Sequence, residues 1–522
     1  MTRTLYSIFD GKADQQQPAI IIPSSAPIPC TLTYPQLLDA IRQFSAKLHQ
    51  LVPGLAPGDA IAISYLNSLE FVVSFLATGF LRLVSAPLNP NYTEDEFNFY
   101  LEDSKAKVMI LPPGALNDPK NPAVRAARKQ GTAVVELSWD GKEIQLVAAG
   151  GKKATATGSS SPAFNPQPED VALLLHTSGT TGRPKGVPLS HLNLATSMHN
   201  IIGTYELTPV DRTLLVMPLF HVHGLVCGLL ATLLSGGAAV IPQKFSASHF
   251  WNDFTEQKCN WYTAVPTIHQ ILLRNPPAKV PSIRFIRSCS SSLAPATFHA
   301  IEDHFKAPVL EAYAMTEAAH QMTSNPLPKH GQHKPGSVGI GQGVEVVILD
   351  EQGKPVEEGE VCIRGANVTR GYLNNPKATA ESFTKDGYFR TGDQGKKDKD
   401  GYLVLTGRIK ELINRGGEKI SPLELDAVLL SHPKIAEAVS FAVPDPMYGQ
   451  EVHAAVVLKD KSHAQGIERE LQSFCQTKVA KFKVPKRIYV TDVMPKTATG
   501  KIQRRVVSQT FFKEPAASQA KL

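Results

Sequence analysis

The sequence predicts an α/β protein of several units: layered strand–helix segments first, then a β-rich stretch, then a small α+β unit. Three observations lead there. The chain has 522 residues, more than one compact core holds, so three or four units are expected. Short apolar runs alternate with amphipathic ones as far as about residue 328. Beyond that the texture changes to short strands broken by Gly and Pro.

Each element has a local reason. The spacing of apolar positions predicts helices over 34–51 and 69–83. Apolar runs at 60–65 and 107–111 predict short buried strands, and strands alternating with helices imply parallel layers. Residues 150–168 are small, polar and Pro-containing, and are expected to form an exposed linker. The stretch GSVGIGQGVEVVILDEQGKPVEEGEVCIRG, within 331–407, predicts β hairpins. Helices over 422–432 and 466–479 and strands over 435–443 and 452–458 complete the last unit. From Leu214 to Gln243 there is no Asp, Glu, Lys or Arg, a length that spans a bilayer. Pro218, Gly224, Gly228, Gly236 and Gly237 break it up. It therefore reads as a strand ending near Met217, a buried helix over about 225–234, and a second strand.

Composition narrows the function. Hydrophobic content of 42% and charged content of 19% describe an ordinary globular chain without a transmembrane segment, peripheral membrane association staying open. A net charge of +7 with no Lys/Arg block suits small anionic ligands and not a specific nucleic acid. Six scattered cysteines contain no CxxC pair, which argues against a disulfide framework or zinc site and for a reducing compartment. The first residues lack the apolar core of a secretory signal. The last three, Ala520-Lys521-Leu522, resemble the tripeptide read by the peroxisomal import receptor. Peroxisome, matrix or peripheral, is thus the expected location, with cytosol as a second one.

Four stretches carry chemistry. HTSGTTGRPKG, His176–Gly186, follows an apolar run and offers backbone N–H groups, hydroxyls and Lys185 to a polyphosphate. Lys185 is followed by Gly186, not Ser or Thr, so this is not the common nucleotide loop. In Ala312-Tyr-Ala-Met-Thr-Glu317, a Thr beside a Glu can bind a phosphate and its Mg²⁺ together. Asp393 can accept both hydroxyls of a ribose, and Arg408 can meet ribose or phosphate. Pro495–Lys501 reads as a mobile loop that presents Lys501 to a phosphoryl oxygen. Any one of these alone is also compatible with a plain surface turn.

In this order and spacing the four stretches resemble the adenylate-forming superfamily of acyl-CoA synthetases, 4-coumarate–CoA ligases, luciferases and adenylation domains. The resemblance covers residues from about 30 to 512. It implies a large N-terminal domain over 1–407, a hinge at 408–410, a small mobile C-terminal domain over 411–512 and a tail over 513–522. It implies ATP and Mg²⁺, with CoA as co-substrate. Thr177, Ser178, Gly179, Thr180, Thr181 and Lys185 would hold the β- and γ-phosphates. Ser290, Ser291 and Ser292, with Glu311 and Ala312, would border the adenine, and Tyr313 would stack on it. Thr316 would touch the α-phosphate, Glu317 would hold Mg²⁺, and Asp393 with Arg408 would bind the ribose. Lys501 would bridge the carboxylate and the α-phosphate, with His221 at the gate beside them. Lys410 would be the pivot, and Gly416 and Gly417 would line the passage for CoA.

The acid is read from other positions. His320 and Gln321 follow the Thr-Glu pair, His223 follows His221, and Ser290 stands where many relatives carry Gly or Ala. Buried polar groups without partners cost about 1–3 kcal/mol each, wasteful for a fatty tail. His221, His223, Ser290 and His320 suit a small acid with a second carboxylate. RSCSSSLAP, EAYAMTEAAHQM and GRIKELINRGGEKISP resemble the oxalyl-CoA-forming branch of plants and fungi, which implies oxalate. If the imidazoles only bond the scaffold, a medium-chain or 4-coumarate-like acid follows instead. A luciferase-like oxygenase would need a large apolar pocket. A non-enzymatic RNA binder would have lost Lys501, Glu317 or Asp393, and all three are present.

Overall fold

The computed structural model describes residues 3–12, 16–177, 184–497 and 499–512. Short strands that are apolar on both faces need cover on both sides, and the large N-terminal domain supplies it with two mixed sheets. In the nine-stranded sheet, Ala238–Val240, Arg212–Leu214, Trp261–Ala264, Phe285–Ser288 and Val309–Met315 run parallel in that spatial order. In the eight-stranded sheet, Val84–Pro87, Ala60–Ile63, Val108–Leu111 and Ala133–Trp139 do the same. One apolar core joins them, including Ile61 and Val108 from one sheet and Ala239 and Trp261 from the other. A four-stranded antiparallel sheet of Glu345–Leu349, Glu358–Arg364, Phe389–Lys397 and Leu403–Arg408 adjoins them. The small C-terminal domain is a five-stranded sheet around the long hairpin Ile435–Asp445 and Gly449–Leu458, with helices Pro422–Leu430, Ile467–Gln476 and Arg504–Phe511.

The first helix spans Tyr34–Leu51 as its apolar period predicts. Thr33 and Gln36 form a reciprocal capping box at its start, a feature that contributes about 1 kcal/mol. The second helix stops at Phe80, short of 83, because Arg82 turns left-handed at φ 64°. Residues 150–168 are largely exposed but not loose. The Gln50 Oε1 accepts from the N–H groups of Thr155 and Ala156, and Phe164 packs against Tyr6 and Phe80.

The charge-free stretch departs furthest from expectation. Its strand ends at Leu214, and the helix begins as a π-helical segment, His223–Leu230, before an α-helical turn, Ala231–Leu234. The cause is a close approach. A Cβ on Gly224 would lie 2.4 Å from the carbonyl oxygen of Pro218, so only glycine lets the wide winding start there. Among the described residues no helix is long and apolar enough to cross a membrane. None of the six cysteines is in a disulfide.

Candidate active site

The phosphate-type motif is a hairpin. Thr177 ends the strand Val171–Thr177 and pairs with Lys185, the first residue of Lys185–Ser190. Ser178, Gly179, Thr180 and Thr181 lie outside the described residues. Lys185 Nζ sits 4.6 Å over the ring of Tyr372, whose hydroxyl donates to Glu317 Oε1 at 2.9 Å. Glu317 follows Thr316 in the single turn Thr316–Ala318 and is buried. Burial pushes its carboxyl pKa up, against the Tyr372 hydrogen bond and the charges of Arg408 and Lys185.

A second group forms across the antiparallel sheet. Asp393 and Arg408 are register partners, and Arg408 Nε donates to Asp393 Oδ1 at 2.8 Å. The Tyr313 hydroxyl also donates to Asp393. Burial raises the Asp393 pKa, while Arg408, Tyr313 and Lys501 pull it down. Lys501 arrives from the small domain. Hydrogen bonds link Thr497 and Lys501 in its loop. Thr497 N–H donates to Lys501 O at 2.8 Å, and Lys501 N–H donates to Thr497 Oγ1 at 3.1 Å. Thr267 of the large domain donates to Gly500 O at 3.3 Å, which docks the turn over the cleft. Lys501 keeps solvent-exposed surface, and the charges that act on it are Arg408, Asp393, Glu411 and Arg504. Burial, then Arg408, lowers its pKa.

The serine turn splits in two. Ser290 adopts a left-handed φ of 73° and turns its hydroxyl to His223, whereas Ser291 and Ser292 are exposed. Glu311 and Ala312 are buried on the strand below. The Glu311 carboxyl accepts from Gly336 N–H at 2.9 Å, and burial pushes its pKa up to about 8. That contact ties the loop at Gly336 to the strand Val309–Met315.

Next to Ser290 lies a cluster of imidazoles around one cation. His221 accepts the N–H of His223 on Nδ1 at 3.2 Å, and burial followed by Lys501 holds its pKa at about 4. His223 contacts Thr263 Oγ1 at 2.6 Å through Nε2 and Ser290 Oγ at 3.0 Å through Nδ1. His320 stacks on His223, ring centroids 5.2 Å apart, with a left-handed φ of 98°. It is 1% exposed, and among the described residues neither of its ring nitrogens has a hydrogen-bond partner. Such a buried donor and acceptor calls for a partner from outside the described side chains. Behind them lies Arg287, fully buried in the strand Phe285–Ser288 and bonded to Tyr205, Thr263 and Gln321. Residues 10–373 match the AMP-binding enzyme family, and 424–501 match its C-terminal domain. The chain belongs to the AMP-binding enzyme family.

This AMP-binding enzyme is 54% identical over 476 residues, 87% of each chain, to the oxalate–CoA ligase of Saccharomyces cerevisiae. It is 50% identical over 493 residues to the oxalate–CoA ligase of Arabidopsis thaliana, covering 93% of this chain and 94% of the other. Its fold matches the ATP-bound MatB crystal structure from Rhodopseudomonas palustris with a TM-score of 0.87 and 29% identity, over 98% and 99% of the two chains.

Other positions in this AMP-binding enzyme fall elsewhere. Gly416 and Gly417 form the tip of the hairpin Ile413–Arg415 and Glu418–Ile420, with φ of 60° and 94°, so the turn alone calls for glycine. Lys410 sits in the short turn Ile409–Glu411 between the domains. Arg415 lines a pocket of about 480 Å³ in the small domain with Tyr448, Lys481 and Lys486, separate from the Asp393 and His320 groups. Sequence reading missed Arg287 and Tyr372 as members of the site. A cation directly after the apolar pair Phe285-Ile286 was the available signal for Arg287.

Proposed function

We propose that this enzyme joins oxalate to CoA with ATP, through an oxalyl-adenylate, releasing pyrophosphate and then AMP. The observation that carries the reading is the buried cluster of His223, Ser290, His320 and Arg287 within reach of the Lys501 cleft. A pocket of that polarity suits a short dianion and disfavours an alkyl or aromatic tail. The two oxalate–CoA ligases at 50% and 54% identity support the same acid.

In the first step a carboxylate oxygen attacks the α-phosphorus and pyrophosphate leaves. Two anions must approach, and the Lys501 ammonium offsets their repulsion. Asp393 and Arg408 take the ribose, Tyr313 the adenine, and Thr316 the α-phosphate. Lys185, Thr177, the hydroxyls of Ser178, Thr180 and Thr181 and the backbone of Gly179 take the leaving phosphates. Glu317 fits Mg²⁺ carried in on ATP, since it is a buried carboxylate with one oxygen engaged by Tyr372. When bound, that ion neutralises phosphate charge. In the second step the CoA thiolate attacks the acyl carbonyl and AMP leaves. Lys501 occupies the path, so the small domain turns about Lys410 and brings Gly416 and Gly417 to the CoA. Glu311 and Ala312 shape the adenine wall, and Ser291 and Ser292 border its mouth.

An AMP-release assay with oxalate, malonate, octanoate and 4-coumarate in parallel tests the acid. Oxalate is expected to be turned over fastest, and turnover of octanoate without oxalate would sink the reading. The enzyme enters peroxisomes through the import receptor, a reading supported by Ala520-Lys521-Leu522, which lie outside the described residues. A reporter carrying the last residues should be imported, and the same reporter lacking Leu522 should stay in the cytosol. Equal import of both would refute the targeting.

A further inference from the structure

We propose that Arg287 is the fixed countercharge of the acid pocket, acting through Thr263, His223 and Ser290 so that the enzyme accepts an acid only if it brings a second carboxylate. This rests on the dicarboxylate reading above and assigns the residue that enforces it. Arg287 has no exposed surface, and the groups around it are Tyr205, Thr263, His223, Gln321 and the thiols of Cys227 and Cys289. Among the described residues no Asp or Glu forms an ion pair with it. A guanidinium cannot shed its proton, so its charge stays in the pocket and is left for the ligand to balance.

The hydrogen bonds give that charge a direction. Arg287 Nη1 lies 3.5 Å from His223 Nε2 and donates to Thr263 Oγ1 at 3.2 Å. A cation beside Nε2 disfavours a proton there, so Thr263 donates to Nε2 and the His223 proton sits on Nδ1. Nδ1–H then donates to Ser290 Oγ at 3.0 Å, which frees the Ser290 hydroxyl proton for the acid. His320, stacked on His223 with both nitrogens unpartnered, faces the same space. The groups facing these two rings are Arg287, His221 and His269 for His223, and Arg287, His223 and His221 for His320. Burial first, then Arg287, holds both imidazoles neutral. Arg287 therefore supplies the positive charge that a protonated histidine would otherwise have to supply.

The test compares the full-length parent with Arg287→Met and Arg287→Lys, using oxalate, malonate and acetate as acids across pH 5.5 to 9. At pH 8, Arg287→Met is expected to lower kcat/KM for the preferred dicarboxylate about 100-fold, with the KM for ATP within about threefold of the parent. Its remaining dicarboxylate activity is expected to rise toward acid pH, where a histidine gains the missing charge. Arg287→Lys keeps the charge only below the lowered pKa that burial gives an ammonium, so it should retain activity at acid pH and lose it as pH rises. A folded Arg287→Met with undiminished dicarboxylate turnover, or with a loss equal at every pH, overturns the proposal. If Arg287→Met does not fold, Thr263→Val cuts the connection instead, and an unchanged dicarboxylate KM and pH profile in that variant overturns it too. A parent that prefers malonate to oxalate corrects the named acid and leaves Arg287 in place. A parent that prefers acetate defeats both readings.

Discussion

Lys501→Ala is expected to slow adenylation by about 100- to 1,000-fold while leaving thioester formation from supplied oxalyl-adenylate within about threefold. The reason is positional. Lys501 stands beside Asp393 and Arg408 in the cleft, held there by the turn that Thr267 anchors. It meets charge that exists only while carboxylate and α-phosphate approach each other. The second step has no such pair of anions. Pyrophosphate exchange reads the first step, and CoA consumption with the supplied adenylate reads the second. An equal loss in both would remove Lys501 from the chemistry. The pH profile carries the same argument. Burial and Arg408 lower the Lys501 pKa, and the protonated form is the active one. The kcat/KM of adenylation should thus fall as pH rises through that lowered value, earlier than for an ordinary lysine. Lys501→Arg should move the fall beyond the alkaline range, because a guanidinium stays charged.

His320→Ala is expected to lower kcat/KM for oxalate by about 10- to 100-fold and to leave the KM for ATP within about twofold. A hydrogen bond to a charged group contributes about 1.5–3 kcal/mol net, and each 1.36 kcal/mol is tenfold in rate. His320 is buried with both nitrogens unpartnered, so the substitution breaks no hydrogen bond among the described residues but removes its stacking on His223 and leaves a cavity. Thermal stability should fall only by what that cavity costs, with ATP use spared. A fall in melting temperature together with equal losses for oxalate and ATP would mean that His320 serves the scaffold. Its left-handed φ of 98° adds a second reason to expect function, since backbone strain at a non-glycine residue is kept where geometry is needed.

Elements that depend on neighbours in the chain were readable in advance. The helix Tyr34–Leu51 begins at a capping box and follows one apolar stripe, and both features are local. The small-domain helix Pro422–Leu430 likewise follows Ser421, whose hydroxyl accepts from Glu424 N–H. The π-helical segment His223–Leu230 was not readable, because the Pro218 carbonyl that restricts Gly224 is brought there by the fold. The anchoring of residues 150–168 depends on Gln50, a residue far back in the chain. The same division runs through the site. Asp393 and Arg408 could be marked from their motifs, but their pairing comes from strand register. Tyr372 gave no signal at all until it lay between Lys185 and Glu317.

What this chain does to ATP is written in short motifs, because phosphate and ribose are recognised by local hydroxyls, backbone N–H groups and single charges. Those groups keep their chemistry wherever the chain goes, so order and spacing were enough to place the protein among AMP-binding enzymes. The nature of the acid pocket required the packed molecule. Tyr205, His223, Thr263, Arg287 and His320 come from five separate segments, and only their packing leaves a buried cation facing neutral imidazoles. A charge in water is screened and tells little. The same charge stripped of water demands a partner, and the partner that fits this pocket is the second carboxylate of the acid.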